Sequence, residues 1–284
     1  MKIAGSMEIT TVIGCRNDCQ YCPQDQLVRA YKARSDVYRM HPDAFETCLS
    51  KIPLDIAIHF SGMAEPWLNP DCTRMLLHAV DRGHTVEVYT TLVGMRPEDV
   101  PQLEPVSFSK FVVHLPNERY PSRIRIDSRY LDMVRRVAES RIQNLVFVAI
   151  GAVNRQLEEA VGQPVRIDPV QNRAGNLSTT SDAPDATRAR GKIRCISCGG
   201  RLNHNVLLPN GDVVLCCMDY GLVHVIGNLL REDYDDLFGS PEYLRVRRGL
   251  TDESVDILCR YCHNIKPVGV WARVARNFRR LRGV

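Results

Sequence analysis

Three cysteines stand in the pattern Cys15-x3-Cys19-x2-Cys22, directly after a short apolar run at 9–13. Thiolates this close together on one loop converge on a metal or an iron–sulfur cluster. A tetrahedral zinc site needs four ligands, and no fourth lies nearby in the sequence. On a four-iron cluster, three thiolates leave one iron open to another ligand, and that iron is where chemistry can occur. A second group of cysteines comes much later: Cys195, Cys198, Cys216, Cys217, Cys259 and Cys262. The pairs Cys195/Cys198 and Cys259/Cys262 would make a zinc ribbon. That arrangement leaves unexplained a hairpin turned by Gly211, whose second strand ends at Cys216. The remaining two, Cys48 and Cys72, fall on apolar faces of predicted helices and read as small buried hydrophobes.

The pattern around these residues sets the elements that must hold them. Strands are predicted at 7–13, 56–60, 85–91, 108–115, 145–150 and 165–168. Helices are predicted at 41–49, opened by His41, Pro42 and Asp43, and at 69–83, 97–103, 127–140 and 154–161. Six strands alternating with helices indicate parallel β/α units. The expected class is α/β: an incomplete (β/α)6 TIM-like barrel, with its chemistry at the C-terminal ends of the strands. The first cysteine loop follows the first strand, as that rule requires. The stretch 24–39 is polar and basic and suggests no element. The barrel is expected over 1–171 and a linker rich in Ser, Thr, Asp and Arg over 172–194. A small C-terminal auxiliary-cluster domain (β-hairpin plus helix) follows over 195–265, its hairpin turning at Asn210-Gly211 and its helix at 234–250. Residues 266–284 read as a basic amphipathic helix.

Composition narrows the classes. The chain has 284 residues and is 44% apolar, enough for a sizeable core, and its net charge of +4 gives no indication of a nucleic-acid partner. No apolar run is long enough for a membrane span, and no signal-peptide pattern opens the chain. A cytoplasmic location is expected, with no membrane and no nucleic acid as partners. There thiols stay reduced, so clustered cysteines point to metal rather than disulfides.

The Cys-x3-Cys-x2-Cys spacing, with Tyr21 before the last cysteine, resembles the signature of the radical S-adenosylmethionine (radical SAM) enzymes. The resemblance implies a [4Fe-4S] cluster on Cys15, Cys19 and Cys22 with SAM on its open iron. Reductive cleavage of SAM then gives a 5′-deoxyadenosyl radical that takes a hydrogen atom from substrate. Tyr21 would lie near the adenine. Ser61-Gly62-x2-Glu65-Pro66 resembles the family's glycine-rich SAM motif, with Glu65 on the SAM amino group and Ala64 where the family has a second glycine. Thr90 and Thr91 would meet the ribose or carboxylate end of SAM. Asn154 and Arg155 would meet its carboxylate, and the turn beginning at Arg173 would make the last backbone contact. His114 ends the fourth strand, either facing substrate or as a satisfied structural histidine.

The second cysteine group resembles the SPASM extension and its shorter twitch form. That implies an auxiliary [4Fe-4S] cluster on Cys198, Cys216, Cys259 and Cys262, with Cys195 as the alternative first ligand. Family members of this kind oxidise or epimerise sugars and aminocyclitols, or modify peptides. The compact chain resembles the aminocyclitol-dehydrogenase type, implying a small-molecule polar substrate, oxidation as the outcome, and an electron donor such as flavodoxin or ferredoxin. Strand alternation puts Cys217 on the face opposite Cys216. If Cys217 or Cys195 faces the barrel mouth, its weak S–H bond could return a hydrogen atom and the outcome becomes epimerisation. A peptide maturase is a further alternative, and a non-enzymatic zinc or iron–sulfur binding protein represents a different class.

Overall fold

The computed structural model describes residues 3–177, 186–198 and 201–268. Its strands are β1 (Gly5–Ile9), β2 (Ile56–Phe60), β3 (Val86–Thr90), β4 (Lys110–Leu115), β5 (Leu145–Ile150), β6 (Arg166–Asp168), β7 (Ile193–Cys195), β8 (His204–Leu207), β9 (Asp212–Val214), β10 (Val225–Asn228) and β11 (Ile265–Pro267). The α-helices are α1 (Gln24–Lys32), α2 (Pro42–Leu49), α3 (Cys72–Asp81), α4 (Val100–Leu103), α5 (Ser128–Ala138), α6 (Arg155–Val161) and α7 (Pro241–Gly249). Among the described residues, nine strands form one sheet in the order β10-β9-β8-β1-β2-β3-β4-β5-β6, and β11 pairs with β7 in a second. Strands β1 to β6 run parallel, each beside the next. The sheet ends at β6 and β10, so the barrel is open.

The strands sort their residues by face. Met7, Ile9, Ile58, Phe60, Val88, Phe111 and Val113 are buried in one core with Phe45, Leu49, Leu76 and Val134 from the helices. On the opposite face, which is the barrel lumen, parallel register sets Glu8 beside His59 and His59 beside Glu87. Closed TIM barrels fill this space with branched aliphatic side chains. Here a polar row takes their place.

Strands β2 and β5 coincide with their predicted spans. The first strand does not: it ends at Ile9 rather than at 13. Thr11 leaves the ladder to donate its hydroxyl to Pro66 O (2.8 Å), and Val12 makes only an isolated bridge to Arg39. Helix α1 lies in the stretch 24–39 that suggested no element; it buries Leu27 and Tyr31 and leaves its other face polar. The predicted helix at 234–250 is broken. A 3-10 turn (Asp235–Gly239) comes first, and Ser240 is extended, accepting from Tyr243 N (3.3 Å) to start α7 with Pro241 at its first position. The predicted tail helix at 266–284 lies mostly outside the described residues.

The hairpin after the barrel is not a separate body. Strand β8 pairs parallel with β1, and β9 folds back on β8. Gly211, at φ +85°, turns that hairpin; a Cβ there would meet Leu230 Cγ at 2.6 Å. The predicted linker is also fastened. Arg260 is fully buried and donates to Ala189 O (2.9 Å), Gly191 O (3.1 Å) and Gly249 O (2.6 Å), tying the approach to β7 onto α7.

Candidate active site

The three-cysteine loop leaves the sheet between β1 and α1 and is fixed by its neighbours. Cys15 N donates to Gln24 Oε1 (3.1 Å), while Gln24 Nε2 donates to Met63 O (2.6 Å) and Cys22 Sγ (3.2 Å). One amide thus spans two of the three cysteines. Asn17 Nδ2 donates to Thr91 Oγ1 (2.9 Å), holding the loop against the end of β3. Gly62 comes so close to Thr10 that a Cβ would sit 2.3 Å from Thr10 Oγ1; only glycine fits this crossing at φ +68°. Burial pushes the Cys15 thiol up to about 11 and the Cys19 thiol up to about 12. Both are protonated near neutral pH until a metal displaces the protons.

Cys15, Cys19 and Cys22 line one cavity of about 180 Å³ together with Tyr21, Gly62, Glu65, Thr90, Thr91, His114 and Arg173. Of the sequence-predicted SAM residues, three lie elsewhere. Pro66 is buried and does not line the cavity, its carbonyl taken by Thr11. Asn154 caps α6, accepting from Gln156 N (3.0 Å) and donating to Glu118 (3.0 Å). Arg155 is on the exposed first turn of α6, paired with Glu159 at 2.9 Å, its side chain 89% exposed. Capping chemistry governs that position, and the structure does not bring either residue to the site.

Glu65 is the centre of the cavity wall and is 4% exposed. Its Oε1 accepts from Trp67 N (3.2 Å) and Thr90 Oγ1 (2.7 Å), and its Oε2 from Thr91 N (2.5 Å) and Thr91 Oγ1 (2.7 Å). Burial raises its pKa, and the donors on Thr91, Thr90 and Trp67 pull it back. The motif residue and the threonine pair are therefore one hydrogen-bonded unit joining β2's loop to β3. Arg173 enters from a 3-10 turn (Arg173–Gly175) in the left-handed region at φ +48°. Its guanidinium lies over the Tyr220 ring at 5.9 Å. His114 lies beside Tyr89, the rings tilted by 31° with centroids 6.4 Å apart, and burial, then Arg173, lower its pKa to about 4, leaving a neutral imidazole. Below it, Tyr89 donates to Glu87 (2.7 Å) and Ser61 donates to Glu8 (3.1 Å), carrying the polar lumen up to the cavity.

The sequence reading missed Asn17, Gln24, Tyr89 and Tyr220, all of which line this cavity. Gln24 was visible two positions after Cys22. Tyr220 gave no signal, because its contact spans 198 residues.

The later cysteines gather in one neighbourhood. Cys198 feels the charges of Cys195, Cys216 and Cys259, and Cys259 those of Cys262 and Cys195. The Cys198 thiol beside Cys195, together with the Cys198 N–H that donates to Cys195 Sγ (3.3 Å), pushes the Cys195 thiol down, while Cys195 and burial push the Cys198 thiol up. Cys216 faces this group. Its neighbour Cys217 faces the other way, toward Glu8 and Arg173 in the lumen. The segment bearing Cys259 is held from behind: fully buried His224 accepts from Leu258 N (3.0 Å) through Nε2 and bonds Glu242 (2.6 Å) through Nδ1. Among the described residues no three or more Cys, His, Asp or Glu are arranged around a single metal ion; the donor types, thiols throughout, three at the loop and five in the later group, are those that suit iron–sulfur clusters. Cys48 and Cys72 are both buried in the core.

A larger cavity, about 680 Å³, opens outside the cysteine loop and shares Asn17 with the first. Arg16, Arg96, Arg123, Arg125, Arg129 and Arg136 line it, against Asp127 and Asp132.

Residues 198–263 match the SPASM family, an iron–sulfur cluster-binding domain. The matched span contains Cys198, Cys216, Cys259 and Cys262; Cys195 precedes it. Comparison with curated proteins gives no match. Among solved structures, BtrN in complex with AdoMet and 2-DOIA superposes with a TM-score of 0.60 at 18% identity, over 95% of this chain and 96% of that one. SuiB of Streptococcus suis bound to precursor peptide SuiA gives 0.61 at 13% identity, over 86% and 67%. The structure of anSMEcpe with bound AdoMet gives 0.56 at 12% identity, over 91% and 86%. Among the described residues no helix is long and apolar enough to cross a membrane. The chain has the fold of these solved structures, an open β/α barrel, and its residues 198–263 match the SPASM iron–sulfur cluster-binding domain.

Proposed function

We propose that this chain is a radical SAM enzyme that oxidises a small polar substrate, a polyol or aminocyclitol, held in the barrel lumen. The observation that carries this reading is the polar row Glu8–His59–Glu87, which continues through Tyr89 and Ser61 into the three-cysteine cavity. Bound in their cradles, a [4Fe-4S] cluster with SAM supplies the hydrogen-abstracting radical, and the auxiliary cluster supplies a sink for one electron. The chain's own residues do the rest. Glu65 presents negative charge to the SAM ammonium, and Arg173 presents a guanidinium suited to a carboxylate. The lumen carboxylates and His59 accept hydrogen bonds from substrate hydroxyls or amines. His114, its imidazole kept neutral by burial and by Arg173, is a hydrogen-bond partner for the substrate, and the lumen carboxylates Glu8 and Glu87 are the acceptors for the O–H proton that oxidation releases.

Cys217 favours a second reading, epimerisation, because its thiol faces the lumen beside Glu8 and Arg173. Anaerobic turnover in D2O with a panel of polyols and aminocyclitols, 2-DOIA among them, separates the two. Oxidation gives a product with a new C=O and no solvent deuterium at the reacting carbon. A product one mass unit heavier than substrate, lost in Cys217→Ala while SAM cleavage persists, replaces oxidation with epimerisation.

The reducing electron enters, in this reading, from the arginine-lined cavity outside the loop, whose charge suits an acidic carrier protein of the flavodoxin or ferredoxin type. Reversing Arg125 and Arg129 to glutamate should slow reduction by flavodoxin at least tenfold at low salt and leave reduction by dithionite unchanged. Equal slowing with both reductants would contradict a docking role.

A further inference from the structure

The Tyr220 hydroxyl lies 3.2 Å from Cys22 Sγ, and Gln24 Nε2 reaches the same sulfur at 3.2 Å. Once Cys22 is a deprotonated ligand its sulfur can only accept, so both contacts become hydrogen bonds to the thiolate. Tyr220 is 2% exposed and packs with Ile13, Leu27, Met63 and Val214, so its hydroxyl has little freedom to turn elsewhere. The loop that carries it is equally fixed. Asp219 N donates to Cys216 O (3.1 Å), the buried Asp219 carboxylate accepts from Val223 N (2.9 Å) and His224 N (2.7 Å), and Asn176 Nδ2 donates to Met218 O (2.8 Å). Tyr220 stands four residues after Cys216. A short, stiff segment of the SPASM domain thus runs from an auxiliary ligand to the sulfur of a catalytic one.

We propose that Tyr220, with Gln24, sets the reduction potential of the cluster held by Cys15, Cys19 and Cys22, so that the SPASM domain tunes the barrel's cluster as well as carrying its own. Reduction adds negative charge to the cluster and its thiolates. Donors on a ligand sulfur stabilise the reduced form more than the oxidised form and raise the potential. The inference rests on the reading of the three-cysteine loop as a cluster cradle, and the experiment separates the two.

Anaerobic holoenzyme is titrated with a reductant series and the reduced catalytic cluster is counted by electron paramagnetic resonance. At the potential that half-reduces the unaltered protein, Tyr220→Phe lowers the reduced-to-oxidised ratio several-fold; tenfold corresponds to about 59 mV for one electron. Iron content stays unchanged. Incorporation of 3-fluorotyrosine at position 220 keeps ring and hydroxyl, strengthens the donor, and moves the potential the opposite way, which keeps the proposal testable should the phenylalanine variant fold poorly. A potential that neither replacement moves overturns the inference while leaving the cluster reading intact. A loop that holds no iron, judged by an iron content and spectrum unchanged in the triple cysteine variant, overturns both.

Discussion

Alanine at Cys15, Cys19 and Cys22 together is expected to abolish 5′-deoxyadenosine formation under reducing conditions and to lower iron from about eight to about four per chain. The argument is ligand count joined to geometry. Three thiols share one cavity with Glu65, Thr90, Thr91 and Arg173, and among the described residues no fourth cysteine lines it. The later group has five thiols and needs no outside ligand to close a cluster. The fold should tolerate the change, since all three cysteines are only partly buried. The loop keeps its bonds from Gln24 to Met63 and from Asn17 to Thr91. Iron analysis and chromatography of the cleaved nucleoside make the check. Deoxyadenosine persisting in the triple variant would move cleavage to the other cluster. Loss of all iron would mean that the two cradles do not fill independently.

The barrel was legible because each strand carries its own signal. Ile56–Phe60 and Leu145–Ile150 are continuous apolar runs bounded by polar turns, and their ends are set locally. Asp127 and His41 cap their helices through side chains that are visible in sequence. What escaped depends on distant partners. Helix α1 is mostly polar and is stabilised by burying Leu27 and Tyr31 under the hairpin residues Val206, Leu208 and Val214. The place of that hairpin, parallel to β1, is a contact across nearly 200 residues that no periodicity encodes. The cysteines, Glu65 and the threonines, grouped by resemblance to the radical SAM motifs, line one cavity. Asn154 and Arg155 lie instead at the start of α6, outside the cavity, where helix capping favours the same residue types as a ligand site. The charge pattern of the lumen was present in the strands as Glu8, His59, Glu87 and His114, but its meaning waits on the register that lines those residues up.

Glu65→Gln is expected to weaken SAM binding tenfold or more and, independently, to destabilise the protein by about 1–3 kcal/mol. The first effect follows from charge. A hydrogen bond to an ionised group in a partly buried site contributes about 1.5–3 kcal/mol, and the amide keeps the shape without the charge. The second follows from donor count. All four donors reach the carboxylate: two backbone N–H groups, on Trp67 and Thr91, and two hydroxyls. Thr90 and Thr91 can turn their hydroxyls and accept from an amide. The backbone groups cannot, and they sit on different oxygens, Trp67 N on Oε1 and Thr91 N on Oε2. Whichever way the glutamine amide is set, its NH2 faces one backbone N–H inside a site that is 4% exposed. Anaerobic calorimetry with SAM on the reconstituted protein reads the first effect, and urea unfolding of the variant reads the second. Glu65→Asp, which keeps the charge but withdraws it by one methylene, should recover part of the SAM affinity and little of the stability. An unchanged dissociation constant with a lowered midpoint would make Glu65 a structural joint between β2 and β3 and remove it from the SAM site.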